Sequence, residues 1–111
     1  MATREKTAKE VNRPKRRPDV RRSTGNVFSD LGFEPEEAEH LRIRSTLMAT
    51  VRQVILDRGI TQAQAAELFA VRQPRISDLV RGKIDLFSID TLVDMLARAG
   101  VRVEVRTKVM N

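Results

Sequence analysis

The sequence predicts a mostly α-helical domain of about five helices, preceded by a basic tail at residues 1–25 and followed by a short β-strand. Three observations support this fold class. Apolar residues recur at helical spacing between residues 35 and 99, glycine and proline mark the ends of these stretches, and valine alternates with charged residues from Val101 onwards. The 111 residues are enough for one domain with a modest core, which we assign to residues 26–111.

The tail carries the net charge of the protein. Residues 1–25 contain nine Lys and Arg against three Asp and Glu, whereas residues 26–111 contain twelve residues of each sign. The tail has almost no apolar side chain beyond alanine and valine, so we expect it to be disordered when free. Its densest basic run, residues 13–22, is a solvated tail, a phosphate contact on DNA, or a segment that folds onto a partner protein.

Residues 26–59 predict a packed cap and a long helix. The run 26–33 contains two of the four phenylalanines, which favours packing onto the core over an apolar patch for a partner. Pro35 suits the first turn of a helix over 35–58, either continuous or in two joined parts, and Gly59 suits its end. The helix has an apolar stripe at helical spacing, made by Leu41, Met48, Val51 and Ile55.

The start of this helix is acidic. Residues 30–39 contain five acidic residues and no basic one. Negative side chains stabilise the N-terminus of a helix, but DNA would repel them. We therefore expect this segment to face away from DNA, either as a solvated helix start or as a surface for a basic partner.

Residues 60–83 predict two short helices joined by a tight turn. Thr61 is a suitable N-cap for a first helix over 62–69, and Gly82 follows a second helix over 73–80. Spacing predicts that Ile76, Leu79 and Val80 form the buried face of the second helix. The residues expected on its exposed side are Arg72, Gln73, Arg75 and Asp78.

The run TQAQAAELFAVRQPRISDLVRGK, residues 61–83, resembles the helix-turn-helix of the Xre/lambda-repressor-like family. The longer pattern from Asn26 to Val105 resembles its HigA-type branch, the antitoxins of toxin–antitoxin pairs. Two positions depart from the family pattern. Ala70 stands where the family often has glycine, and Arg72 stands where it often has a serine or threonine N-cap.

The resemblance implies which residues meet double-stranded operator DNA. Gln73 would read adenine, and Arg72 or Arg75 would read guanine. Phosphate contacts would come from Gln62, Ser77, Arg81 and Lys83. The remaining members of the expected DNA-binding set are Pro74, in the first turn of the second helix, and Asp78.

The resemblance also implies a function. A HigA-type antitoxin represses its own operon and neutralises a cognate toxin, here expected to be a RelE/HigB-like mRNA endonuclease. The alternative is a stand-alone Xre-family repressor without a toxin. The basic tail, the acidic segment and the run 26–33 are all candidates for toxin binding.

The C-terminal part predicts one further helix and then a strand. Ser88 would cap a helix over 89–99, and Gly100 would end it. The run VRVEVRTKV at 101–109 alternates with period two, which is typical of a strand. A lone strand is not stable in water, so it needs a partner. Antiparallel pairing in a two-fold homodimer is our first expectation, a partner protein the second, and a strand of the same chain the third.

Composition argues against several other classes of protein. The chain has no cysteine and one histidine, His40, so we expect no disulfide, metal, cofactor or catalytic site. No apolar run approaches the ~20 residues of a membrane span, and the basic N-terminus lacks the apolar region of a secretory signal. We therefore expect a cytoplasmic protein that is not an enzyme.

Overall fold

The computed structural model describes residues 26–109, which form five α-helices. The predicted disordered tail lies outside the described residues. A single 3₁₀ turn, Ile84–Leu86, separates the fourth helix from the fifth. In chain order the helices are α1 Val27–Asp30, α2 Pro35–Arg58, α3 Gln62–Phe69, α4 Gln73–Val80 and α5 Ile89–Arg98.

One apolar core joins α2, α3, α4 and α5. The long helix α2 packs against α5 and carries α1 on its outer side, while α3 packs against both α4 and α5. The predicted stripe of α2 is buried along its whole length. The most deeply enclosed side chains are Val51, Phe69, Ile76, Leu79, Phe87, Leu92, Met95 and Leu96.

Capping interactions set the helix ends where the sequence predicts them. Thr61 Oγ1 accepts a hydrogen bond from Gln64 N at 3.1 Å, and Thr61 N donates to Gln64 Oε1 at 2.8 Å. This reciprocal pair, a capping box, gives the backbone N–H groups of both Thr61 and Gln64 a hydrogen-bond acceptor at the start of α3. Ser88 Oγ caps α5 by accepting from Thr91 N at 3.1 Å. Helix α5 ends at Arg98, one residue earlier than predicted.

The short helix α1 is fastened to α2 through Asn26. The side-chain amide of Asn26 donates to Ala38 O at 3.1 Å and to Glu39 Oε2 at 3.0 Å, and its oxygen accepts from Phe28 N. The Phe28 and Phe33 rings meet edge to face at 6.1 Å. The segment therefore contacts α2 through Asn26, but Val27, Leu31 and Phe33 remain 60%, 69% and 41% exposed, so the expected apolar packing onto the core is not formed.

Two further expectations need correction. Val80 is 42% exposed rather than buried, because α4 packs mainly on α3 and only Ile76 and Leu79 of α4 are enclosed. The predicted C-terminal strand is not formed, since residues 101–109 have no regular secondary structure and no strand occurs anywhere in residues 26–109. A strand needs hydrogen bonds to a neighbouring edge, and the described part of the chain offers none.

The turn between α3 and α4 places an alanine in the left-handed region. Ala70 has φ 59° and ψ 46°, and it is the one non-glycine residue with a positive φ among those described. The conformation is held by hydrogen bonds from Ala70 N to Glu67 O and from Val71 N to Ala66 O, at 3.2 and 2.9 Å. A left-handed residue with a Cβ atom costs roughly 1–2 kcal/mol.

We therefore predict that Ala70→Gly raises the free energy of unfolding by about 1 kcal/mol, because glycine adopts this conformation without the Cβ penalty. Thermal denaturation should show this as a rise in Tm of roughly 4–8 °C. The control is Ala49→Gly, at an exposed position inside α2, which should lower stability by about 1 kcal/mol. A loss of stability in both variants would contradict the predicted relief of strain.

Candidate nucleic-acid interface

Helix α4 has one apolar face, and that face determines which residues it presents to the outside. Ile76 and Leu79 are completely buried in the core. Residues three or four apart share a face of a helix, so Ile76 and Leu79 lie on one face and anchor α4 to the core. Gln73, Pro74 and Arg75 form the first turn of α4, ahead of both buried residues, and all three are exposed.

The N-terminal end of α4 carries two polar side chains with no internal partner. Arg72 is the N-cap residue, in an extended conformation, and its side chain makes no capping hydrogen bond. Arg72 and Gln73 are both exposed. Within residues 26–109 neither side chain forms a hydrogen bond or an ion pair with another residue. Both remain available to bind a ligand at this end of the helix.

Arg75 is also exposed in the first turn of α4, but it has partners inside the protein. Its guanidinium carbon is 5.3 Å from the centroid of the buried Phe87 ring, and its Nη1 donates to Leu86 O at 3.3 Å. A cation over an aromatic face is an attractive pair worth roughly 0.5–2 kcal/mol. Arg75 therefore links α4 to the segment between α4 and α5, a role that the sequence alone did not suggest.

The same segment is held from a second side by α2. Arg44 Nη1 donates to Ile84 O at 3.4 Å. Two arginines from different helices thus bind carbonyl groups of the 3₁₀ turn, one at each end of it. These contacts fix the position of α4 relative to α2 and α5 in addition to the apolar core.

The other predicted residues lie at the ends of α3 and α4. Gln62 is exposed in the first turn of α3, and Arg81 is exposed directly after α4. Ser77 and Asp78 are half-buried. Lys83 Nζ lies 3.6 Å from Asp78 Oδ1, and a partly exposed pair of this kind contributes little stability. Asp78 thus partly neutralises the lysine that was expected to contact phosphate.

Charge is distributed unevenly over the described residues. Residues 62–83, from the start of α3 to the residue before the 3₁₀ turn, contain two acidic residues and four basic ones, Arg72, Arg75, Arg81 and Lys83. The acidic residues concentrate in α1 and the first turn of α2. One turn further along α2, hydrogen bonds from Arg42 and then from Asn26 hold the pKa of Glu39 below its ordinary value.

Most of the predicted residues thus lie on α4 and next to its ends, but they differ in whether their side chains are free to bind a ligand. Arg72 and Gln73 have no hydrogen-bond or ion-pair partner among the described residues, while Arg75 lies over Phe87 and Lys83 pairs with Asp78. In residues 26–109 no cluster of three histidine or acidic side chains has the geometry of a metal site. No helix in this range is long and apolar enough to cross a membrane.

Comparison with known proteins agrees with this geometry. A family model described as a helix-turn-helix domain matches residues 27–108, most of the chain. The match begins at the first residue of α1 and extends beyond α5 into the C-terminal segment. A search of curated proteins found no match.

We predict that Arg72→Ser raises the free energy of unfolding by about 1 kcal/mol and weakens DNA binding. Pro74 has no N–H to donate, so a serine oxygen at this position would accept from Arg75 N, which now donates to Arg72 O at 2.9 Å. Chemical denaturation and DNA titration measure the two effects. The control is Arg81→Ser, which removes the same charge after the helix and should give no gain in stability. An Arg72→Ser protein that binds DNA as well as the wild type would contradict a DNA contact by Arg72.

Proposed function

Since the chain belongs to an Xre-like helix-turn-helix family, we propose that it is a transcriptional repressor that inserts α4 into the major groove of operator DNA. One observation carries this proposal. The exposed N-terminal end of α4 presents Arg72 and Gln73, two side chains suited to base edges, from a helix that the core holds in place.

We assign base reading to these two residues. The amide of Gln73 can bond to both N6 and N7 of adenine, and the guanidinium of Arg72 can bond to O6 and N7 of guanine. Arg75 is the weaker candidate for guanine because it already binds Leu86 O and lies over Phe87. Contacts to phosphate would come from Gln62 at the start of α3, Ser77 within α4, and Arg81 and Lys83 after α4.

A homodimer would read a palindromic operator. Two copies related by a two-fold axis can present their α4 helices to successive major-groove faces, about 34 Å apart. Such a protein works by binding rather than catalysis, and we expect it in the cytoplasm, where its operator is.

We further propose that the protein is an antitoxin that binds and neutralises a cognate toxin of the RelE/HigB-like mRNA endonuclease type. The support is the resemblance of residues 26–105 to HigA-type antitoxins, together with the surface of α1. There, the exposed Val27 and Leu31 lie beside the acidic start of α2. An apolar patch with negative neighbours suits a basic partner protein. The alternative, a stand-alone repressor, needs no partner at this surface.

The first test of the proposal concerns base reading. The operator can be identified by selecting bound sequences from randomised DNA. We predict that Gln73→Ala then weakens operator binding by roughly 1–3 kcal/mol and binding to random DNA very little. The matched control is Gln53→Ala, an exposed glutamine of α2 that hydrogen-bonds Asp57, which should change neither. Equal losses on operator and random DNA would assign Gln73 to phosphate contact instead.

The second test concerns the toxin. We predict that the small reading frame adjacent to this gene arrests growth when expressed alone and that co-expression of this protein restores growth. Leu31→Lys should abolish this rescue by placing a positive charge in the proposed contact. Leu56→Lys is the control, because Leu56 is 72% exposed at the far end of α2. A harmless neighbour would leave the stand-alone repressor as the function.

A further inference from the structure

The C-terminal segment, residues 101–109, is attached to the core at its beginning only. Val101 N donates to Leu96 O at 2.8 Å, and Val101 and Val103 pack half-buried against the core cluster. Beyond them, Val105 and Val109 are 83% and 89% exposed. Val101 and Val103 thus face the domain, while Arg102 between them and Glu104 after them are exposed.

This segment has unused backbone hydrogen-bonding groups. From Arg102 to Val109 no backbone N–H or C=O group bonds to another residue of the described range 26–109. A row of unpaired N–H and C=O groups on an alternating sequence is a template for pairing with another strand. A partner strand for this segment must supply a strand edge, cover Val105, and place opposite charges against the outward-facing Arg102 and Glu104.

The charge pattern of the segment is complementary to that of a second, antiparallel copy of the same segment. Residues 101–105 read Val-Arg-Val-Glu-Val, which is symmetric about Val103 with opposite charges at the two related positions. In an antiparallel pair of two such segments centred on Val103, Arg102 of each copy lies opposite Glu104 of the other. Val101 lies opposite Val105, so the exposed Val105 is covered by a valine that is already packed on its own core.

We infer that two copies of this chain pair antiparallel through residues 101–105, with Val103 facing Val103 across the two-fold axis. This inference deepens the homodimer of the proposed function by naming its interface and register. Each pair of directly opposed residues shares one face of the ribbon, so the valines of both copies face the cores and the charges face solvent.

Other registers of the strand pair are less favourable. They set like charges opposite each other, or they set the valines of one copy opposite the charged residues of the other. Centring the pair on Glu104 sets Glu104 against itself and Arg102 against Arg106. Centring it on Val105 pairs Glu104 with Arg106 but sets Arg102 against Lys108 and Val103 against Thr107. Registers that oppose a valine to a charged residue turn the valines of one copy away from the cores. Directly opposed like charges destabilise a strand pair, so the register centred on Val103 is favoured.

The inference is tested by exchanging the charges one at a time. Arg102→Glu alone would oppose two glutamates, and Glu104→Arg alone would oppose two arginines. In sedimentation experiments on the full chain, we expect each single variant to raise the dimer dissociation constant at least about tenfold. An equimolar mixture of the two variants should form a heterodimer of near wild-type affinity, because each charge then meets its opposite.

Two further variants distinguish this register from other arrangements. Arg106→Glu lies opposite Gly100 in the inferred pair and should leave the dimer unchanged, but it would weaken a pair centred on Val105, where it meets Glu104. Val103→Asp should abolish the dimer, and its helical circular dichroism reports whether the domain still folds.

Three results would overturn the inference. They are a wild-type protein that stays monomeric at the highest concentration tested, single charge variants that dimerise like the wild type, and a mixture that fails to restore the dimer. None of these decides the DNA-reading proposal, because the Gln73→Ala comparison on a single half-site does not need a dimer.

Discussion

The burial of Ile76 and Leu79 is the constraint on which the rest of the structure depends. An eight-residue helix such as α4 is not stable in isolation, so it exists because these two side chains enter the core formed by α2, α3 and α5. Each contributes roughly 1.5–3 kcal/mol when fully buried. The same burial sets the rotation of α4 about its axis, and therefore which side chains face outwards. Arg72 and Gln73, to which base reading is assigned, are exposed at the N-terminal end of α4, ahead of both buried residues.

The protein gives up some local stability around this helix. Ala70 occupies a left-handed conformation that glycine would adopt without strain, and Arg72 occupies an N-cap position that serine would stabilise. Contacts from outside the motif partly offset these losses. Arg75 binds Phe87 and Leu86 O, and Arg44 binds Ile84 O, so the segment after α4 is held by two helices. An unfavourable N-cap that leaves an arginine free at the end of a helix is consistent with a binding role for that arginine.

Both ends of the described range offer surfaces for partners. At its start, Asn26 joins α1 to α2 through two hydrogen bonds, caps α1 through two more, and leaves Val27 and Leu31 exposed. At the C-terminal end, Val101 and Val103 hold the start of an unpaired segment on the core. The proposed toxin contact and the inferred dimer contact therefore use separate surfaces, and neither includes the exposed end of α4. Repression and neutralisation would then be able to occur in one complex.

Local signals in the sequence determined the helices, while contacts between distant residues determined how they are used. Thr61, Ser88, Gly59 and the proline positions specify helix ends because capping acts within four residues, and the stripe of α2 follows from its period. The exposure of Val80, the engagement of Arg75 by Phe87 and the absence of a formed strand at 101–109 depend on packing between elements. Alternation at 101–109 does indicate which valines face the core, but a strand also needs a second edge. The described part of one chain does not supply that edge, so only the tertiary structure decided that the segment is left unpaired.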